Sequence, residues 1–212
     1  MSLLMFALDS SQVVILTDTL ATKPSGDPYL FVSKCSVIPH LEMAIAFTGV
    51  AQIGHRWAHK VQTEFLARDM EVLDEHVPPV LQAITQQVTS EFGPLPGTST
   101  IYHLGCSDSQ AGYSGYVYRS ERDFESELME AGFRVKPRPE GEANAPGSLE
   151  DMIALGVRLR MEQDARPATD RLYIGGEFVL TLLANRSTQV TKVHRFDDFD
   201  SHWLVMNEGL NS

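Results

Sequence analysis

The stretch Val13-Val14-Ile15-Leu16-Thr17-Asp18-Thr19-Leu20-Ala21-Thr22 decides how this chain is read. Its first five residues are apolar or β-branched and read as a strand, which ends at Asp18. Upstream, Leu3 to Leu8 is a second short apolar run, and Asp9-Ser10-Ser11 between the two is turn-like. A hairpin is the simplest arrangement. Downstream, Thr22 to Asp27 holds Pro and Gly and reads as a loop. Leu30 to Ile38 is mixed strand broken by Pro39-His40, and Glu42 to Phe47 is a further strand stopped by Thr48-Gly49.

The pattern then turns helical. Ile53, Trp57, Val61 and Phe65 recur every four positions along one face. Pro78-Pro79 can open a second helix, with Val80, Leu81, Ile84, Val88 and Phe92 as its apolar stripe. Thr98 to Gly105 and Gly112 to Arg119 read as another hairpin around Ser107-Asp108-Ser109. Residues 136–147 have almost no apolar content and read as an exposed loop. Ser148, with Asp151 three residues on, reads as the N-cap of a helix whose inner face holds Leu149, Met152, Ile153, Gly156 and Leu159. A strand follows from Ile174-Gly175-Gly176 to Leu183, then a turn at Asn185-Arg186-Ser187 and a last strand from Thr188 to Phe196. The acidic run Asp197-Asp198-Phe199-Asp200 reads as the start of a solvated tail, about 197–212. Strands, two helices, strands, one helix, strands: this order fits an α+β fold with two antiparallel sheets stacked between helical layers, in one domain over 1–212.

Composition narrows the function. The 212 residues carry a formal net charge of −11. That argues against nucleic acid or an anionic membrane surface as partner, since both need clustered Lys and Arg. No apolar run reaches the roughly 20 residues that cross a bilayer. The run Leu3–Leu8 lacks the basic lead-in and cleavage site of a signal peptide. Cys35 and Cys106 are therefore expected as thiols in a reducing cytoplasm. His55 and His59 share a helical face, but Arg56 follows His55 and no third ligand stands nearby, so a packing pair is expected and no metal. His103 and Cys106 fall on one strand and its turn and read as structural. No glycine loop suited to phosphate appears, and no cofactor is expected.

The opening stretch resembles the start of proteasome β-subunits and of the bacterial HslV-type peptidase, members of the N-terminal-nucleophile (Ntn) hydrolase superfamily. Asp18 and Ala21-Thr22 match the family pattern, Lys34 stands sixteen residues after Asp18 where the family has its lysine, and Ala46-Phe47-Thr48-Gly49 matches the turn with its essential glycine. Counting back by the family spacing puts the nucleophile at Ser2, where the family usually has Thr; removal of Met1 would expose it. Residues 2–60 carry the likeness well, and Ile174-Gly175-Gly176-Glu177 looks like the family's second glycine turn.

The resemblance implies a four-layer αββα sandwich and an amide or peptide hydrolase. A serine hydroxyl needs an adjacent base. Here that would be the α-amine of Ser2, with an ordinary pKa near ~8. Lys34 would lower that pKa, Asp18 would hold the lysine, the Gly49 N–H would stabilise the oxyanion, and Ala21, Thr22 and Phe47 would line the substrate pocket. The family would also imply a homo-oligomer, as a ring, and an ATPase unfoldase partner. Two other readings sit on the same fold: a non-catalytic scaffold, as proteasome α-subunits are, and a small-molecule amidase. The sequence departs from the family in three places. The nucleophile is Ser. The serine that supports it has no clear counterpart, with Ser114-Gly115 and Ser148 both open. Arg171 and Ile174 stand where proteasome subunits carry Asp and Ser, as HslV-type enzymes also differ there.

Overall fold

A computed structural model of the chain describes residues 3–23, 25–107, 109, 112–141 and 144–208. In chain order the elements are β1 (Leu4–Leu8), β2 (Gln12–Asp18), β3 (Leu20–Thr22), β4 (Pro28–Phe31), β5 (Cys35–Ile38), β6 (Met43–Thr48), α1 (Ala51–Thr63), α2 (Met70–Asp74), α3 (Val77–Phe92), β7 (Thr100–Ser107), β8 (Gly112–Arg119), β9 (Ser126–Leu128), β10 (Gly132–Lys136), α4 (Leu149–Asp164), β11 (Glu177–Ala184), β12 (Ser187–Arg195) and α5 (Phe199–Glu208). Among the described residues the strands form two five-stranded antiparallel sheets, ordered β10-β1-β2-β11-β12 and β5-β6-β7-β8-β9, and the small β3-β4 hairpin.

The first hairpin forms as its composition dictates. The Asp9 carboxylate accepts the amide of Ser11 at 2.7 Å and that of Gln12 at 3.1 Å, closing the turn. That fixes Leu8 opposite Val13 and Leu4 opposite Thr17. Alternation along β1 then divides its side chains between two cores. Leu4, Phe6 and Leu8 meet Ala44, Ala46, Tyr102 and Leu104 of the other sheet, while Leu3 and Met5 pack with Met152, Leu155 and Leu159 of α4. A third cluster joins Met43, Ile45 and Phe47 of β6 to Ile53, Trp57 and Val61 of α1 and to Leu81, Ile84 and Val88 of α3.

Several elements match the sequence reading closely. Ser148 caps α4 by accepting the Asp151 amide at 3.1 Å. Asn185 and Arg186 both take positive φ, 51° and 55°, and join β11 to β12 as a two-residue turn. Others differ. Phe65 lies beyond the end of α1, although it still packs against Trp57. The short helix α2 and the strands β9 and β10 fall where the sequence pattern marked no element. The stretch 136–147 is not wholly exposed: Lys136 ends β10, and Pro139 is buried. The expected tail from Asp197 is instead largely helical. Phe199 of α5 stacks on Phe31 with centroids 4.5 Å apart, and Asp198 pairs with Arg160 of α4. No helix among the described residues is long and apolar enough to cross a membrane.

Candidate active site

Asp18 ends β2 directly beside the start of β1, and its side chain is fully buried. Its Oδ1 accepts the Leu3 amide at 2.9 Å and Lys34 Nζ at 2.7 Å, while its Oδ2 accepts the Gly175 amide at 3.1 Å. One carboxylate thus ties together the first strand, the approach to β5 and the turn before β11. Lys34 Nζ also donates to the Leu20 carbonyl at 2.7 Å. An ammonium has three N–H donors. Two are used here, so one remains without an acceptor among the described residues. Burial drives the Lys34 pKa down, and the neighbouring Asp18 carboxylate opposes that shift.

The backbone around the pair is built to match. Gly175 uses its carbonyl to accept the amides of Thr19 and Leu20, at 3.3 and 3.1 Å. Thr19 Oγ1 accepts the Glu177 amide at 2.9 Å. The turn before β11 is therefore pinned to the β2–β3 connection by three more bonds, which hold Asp18 Oδ2 on its partner.

Gly49 follows β6 at φ 103°, a conformation that disfavours any side chain. A Cβ there would also stand 2.0 Å from the Thr98 carbonyl oxygen. The Phe47 amide donates to the Lys34 carbonyl at 3.1 Å, so the strand leading to Gly49 is hydrogen-bonded to the residue that carries the ammonium. Asp18, Lys34 and Gly49 are thus linked through short backbone paths. Ala21 and Thr22 are half-buried on β3, immediately after the carbonyl that receives Lys34. Ser2 lies outside the described residues, as does Met1.

Phe47 does not join this group. Its ring is 3% exposed, packs over Gly54 and meets His55 edge-on with centroids 4.9 Å apart. It faces the α1 side of its sheet because odd and even positions of β6 alternate: Ala44 and Ala46 face the other sheet. Of the two serines left open as support for the nucleophile, Ser148 is engaged as the α4 cap. Ser114 lies toward the Ser10 end of the first hairpin, away from Asp18. The neighbouring Tyr113 amide donates to Ser10, beyond the other end of β1. Arg171 closes α4, donating to the carbonyls of Asp164 at 2.6 Å and Arg166 at 3.0 Å, and Ile174 is buried.

The residues that the sequence reading missed act through two backbone groups and one hydroxyl. Gly175, Leu20 and Thr19 contribute an amide, a carbonyl and a strut to the Asp18–Lys34 pair. Only the Gly175-Gly176 pair carried a signal, as a turn.

His103 belongs to a separate buried network. Trp57 Nε1 donates to His103 Nε2 at 2.7 Å, which leaves the ring proton on Nδ1, facing Tyr118 Oη at 3.4 Å. Tyr118 in turn donates to Asp74 at 2.5 Å. Burial pushes His103 down to about 3. This is a neutral core histidine.

No family model matches the sequence, and no curated protein does. The fold does have a match among solved structures. Anbu (ancestral beta-subunit) from Yersinia bercovieri superposes with a TM-score of 0.60 over 99% of this chain and 94% of its own, at 10% identity. At that identity the likeness shows the fold, which is proteasome-like.

Proposed function

We propose that this chain is an Ntn hydrolase that cleaves an amide or peptide bond with Ser2, exposed by loss of Met1. One observation carries the reading: a fully buried Asp18 holds both the Leu3 amide, next to the proposed nucleophile, and a buried Lys34 with one donor left without an acceptor among the described residues. A buried ion pair is costly to desolvate and is weak as a device for stability. Its placement at the first residues of a proteasome-like fold favours a chemical role.

In the proposed mechanism the Ser2 α-amine accepts the hydroxyl proton while Oγ attacks the substrate carbonyl carbon. Lys34, held by the carboxylate that also holds the Leu3 amide, would depress the amine through its charge. The Gly49 N–H receives the developing oxyanion. Collapse of the tetrahedral intermediate breaks the C–N bond, the leaving amine takes up the proton held by the Ser2 α-amine, and an acyl ester remains on Ser2. Water then releases the acid by the same steps in reverse. Ala21 and Thr22 flank the substrate. The helices and sheets stack as a four-layer αββα sandwich in one domain, in support of which the three core clusters separate α1 and α3, the two sheets, and α4. Within the fold we favour the HslV-type branch, since Arg171 and Ile174 replace the acidic and serine positions of proteasome subunits. Assembly into a homo-oligomeric ring is proposed by analogy of fold.

The test uses intact mass and an electrophilic probe selective for N-terminal nucleophiles. Wild-type protein should lack Met1 and gain one probe adduct, and Ser2→Ala should gain none. Retained Met1 in protein from its native host, or equal labelling of both proteins, sinks the catalytic reading.

A further inference from the structure

The chain crosses from one sheet to the other between β9 and β10, and the crossing leaves a cleft of about 490 Å³. Its inner wall is apolar: Leu4, Phe6, Tyr102 and Met129. Its rim carries four cations, Arg119, Arg134, Lys136 and Arg138, against two carboxylates, Glu127 and Glu130. This is an unusual local excess in a chain of net charge −11.

The pairing within the rim is uneven. Glu127 is held by Arg119 at 2.6 Å and by Arg122 at 3.2 Å, so Arg119 has a carboxylate partner that it shares with Arg122. The other three cations have no carboxylate partner within ion-pair distance among the described residues. Arg134 donates only to the carbonyls of Phe133 and Glu130. Lys136 donates to Thr100 Oγ1 at 2.9 Å and lies 5.8 Å from the centroid of the Tyr102 ring. It is half-buried, and burial lowers its pKa, so its charge stands in a site that would gain from a counter-ion. A cation held over an apolar wall without a carboxylate in contact is the form of a site for an amphipathic anion, Glu121 acting on Lys136 only at longer range.

The cleft adjoins the candidate active site through the chain itself. Leu3 is bound by Asp18, and Leu4, the next residue, lines the cleft opposite Lys136.

We propose that this cleft binds the carboxylate end of a short acidic peptide or acyl amino acid, with Lys136, Arg134 and Arg138 receiving the carboxylate and Phe6, Tyr102 and Met129 receiving the adjacent apolar group. Its role as a substrate subsite rests on the hydrolase reading; binding itself does not. The glutamates on the rim favour a single negative charge over a dianion, because each added charge meets them as well as the cations.

Binding is measured by calorimetry on the full chain with three probes: acetyl-leucyl-glutamine amide, which is neutral; acetyl-leucyl-glutamate amide, charged on the side chain; and acetyl-leucyl-glutamine, charged at the terminus. At least one charged probe should bind about tenfold or more tighter than the neutral one, as expected for a charge-assisted contact. The preference should shrink as salt is raised. Which charged probe wins tells whether the cleft takes a side-chain or a terminal carboxylate. The double variant K136M/R134Q should abolish the preference. The exposed Arg138→Gln, which tests the site without touching a packed residue, should reduce it. Equal affinity for all three probes, or a preference unchanged in both variants, overturns the proposal. If the charged probes bind but Ser2→Ala and wild type label alike, the hydrolase reading fails and the cleft stands.

Discussion

Replacing Asp18 with Asn removes one charge from a cluster that has no access to water. The carboxylate accepts from three donors, the Leu3 amide, Lys34 Nζ and the Gly175 amide. An asparagine keeps one acceptor oxygen and turns the other into an NH2, so one side of the cluster meets donor against donor. An unsatisfied buried group costs about 1–3 kcal/mol. Lys34, fully buried, also loses the charge that opposes its desolvation. Breaking a buried pair by removing one partner typically costs about 3–5 kcal/mol in all. Urea denaturation at pH 7 should show a loss of that size for Asp18→Asn. The double variant D18N/K34M should recover much of it, with a coupling of roughly 2 kcal/mol or more. The pH dependence has a defined sign. Lys34 has a folded-state pKa below its ordinary value of 10.5, so between the two the unfolded chain holds more protons. Stability therefore rises with pH through that window, and the deficit of Asp18→Asn should shrink as pH is raised toward 10.5 and Lys34 sheds its proton. A D18N protein within about 1 kcal/mol of wild type, or a double variant no better than the sum of the singles, would refute the claim that this pair is energetically coupled.

Three further outcomes can be measured directly. His103, with a folded-state pKa of about 3 against 6.5, contributes stability that is complete above pH 6.5 and lost as pH falls toward 3, on the order of 5 kcal/mol over the whole range; its imidazole resonances should show no titration down to pH 4, and a midpoint near 6 would contradict the neutral network. Gly49→Ala should cost at least about 2 kcal/mol, from positive φ and from the clash with the Thr98 carbonyl, read as a drop in thermal midpoint; an unchanged midpoint would mean that the turn relaxes freely. Arg160→Ala removes both the Asp198 pair and the cation over the Phe196 ring, 4.4 Å away; amide exchange in α5 should quicken while exchange in β1 and β2 does not, and uniform protection would show that α5 is held by Phe31 and Phe199 alone.

How much of this was legible in the sequence depends on which contacts local rules determine. The turn at Asp9-Ser10-Ser11 sets Leu8 opposite Val13, and antiparallel pairing then carries Leu4 to Thr17 and brings Leu3 beside Asp18. That half of the candidate site follows from the first eighteen residues once the turn is read. Lys34 is different. It belongs with the opposite sheet, and its approach to Asp18 depends on how the two sheets stack, which no periodicity encodes; only the sixteen-residue spacing shared with a known family pointed to it. Phe47 shows where spacing misleads. The family likeness made it a pocket residue, yet the alternation along β6 turns its ring toward α1.

The C-terminal segment failed for a further reason, one that bears on the site. Asp197-Asp198-Phe199-Asp200 reads as solvated because three charges outnumber one ring. Two of the four nonetheless have a context that composition hides: Asp198 is matched by Arg160 across 38 positions, and Phe199 stacks on Phe31 while lying 4.3 Å beneath the Arg195 guanidinium. Phe31 in turn abuts Gly176, one residue after the amide that holds Asp18. The C-terminal helix is therefore packed onto the same turn that completes the Asp18 cluster. A segment that composition assigns to solvent ends up bracing, through Phe31, the turn on which the proposed chemistry depends, and loosening it should be felt both at Gly176 and at the end of β12.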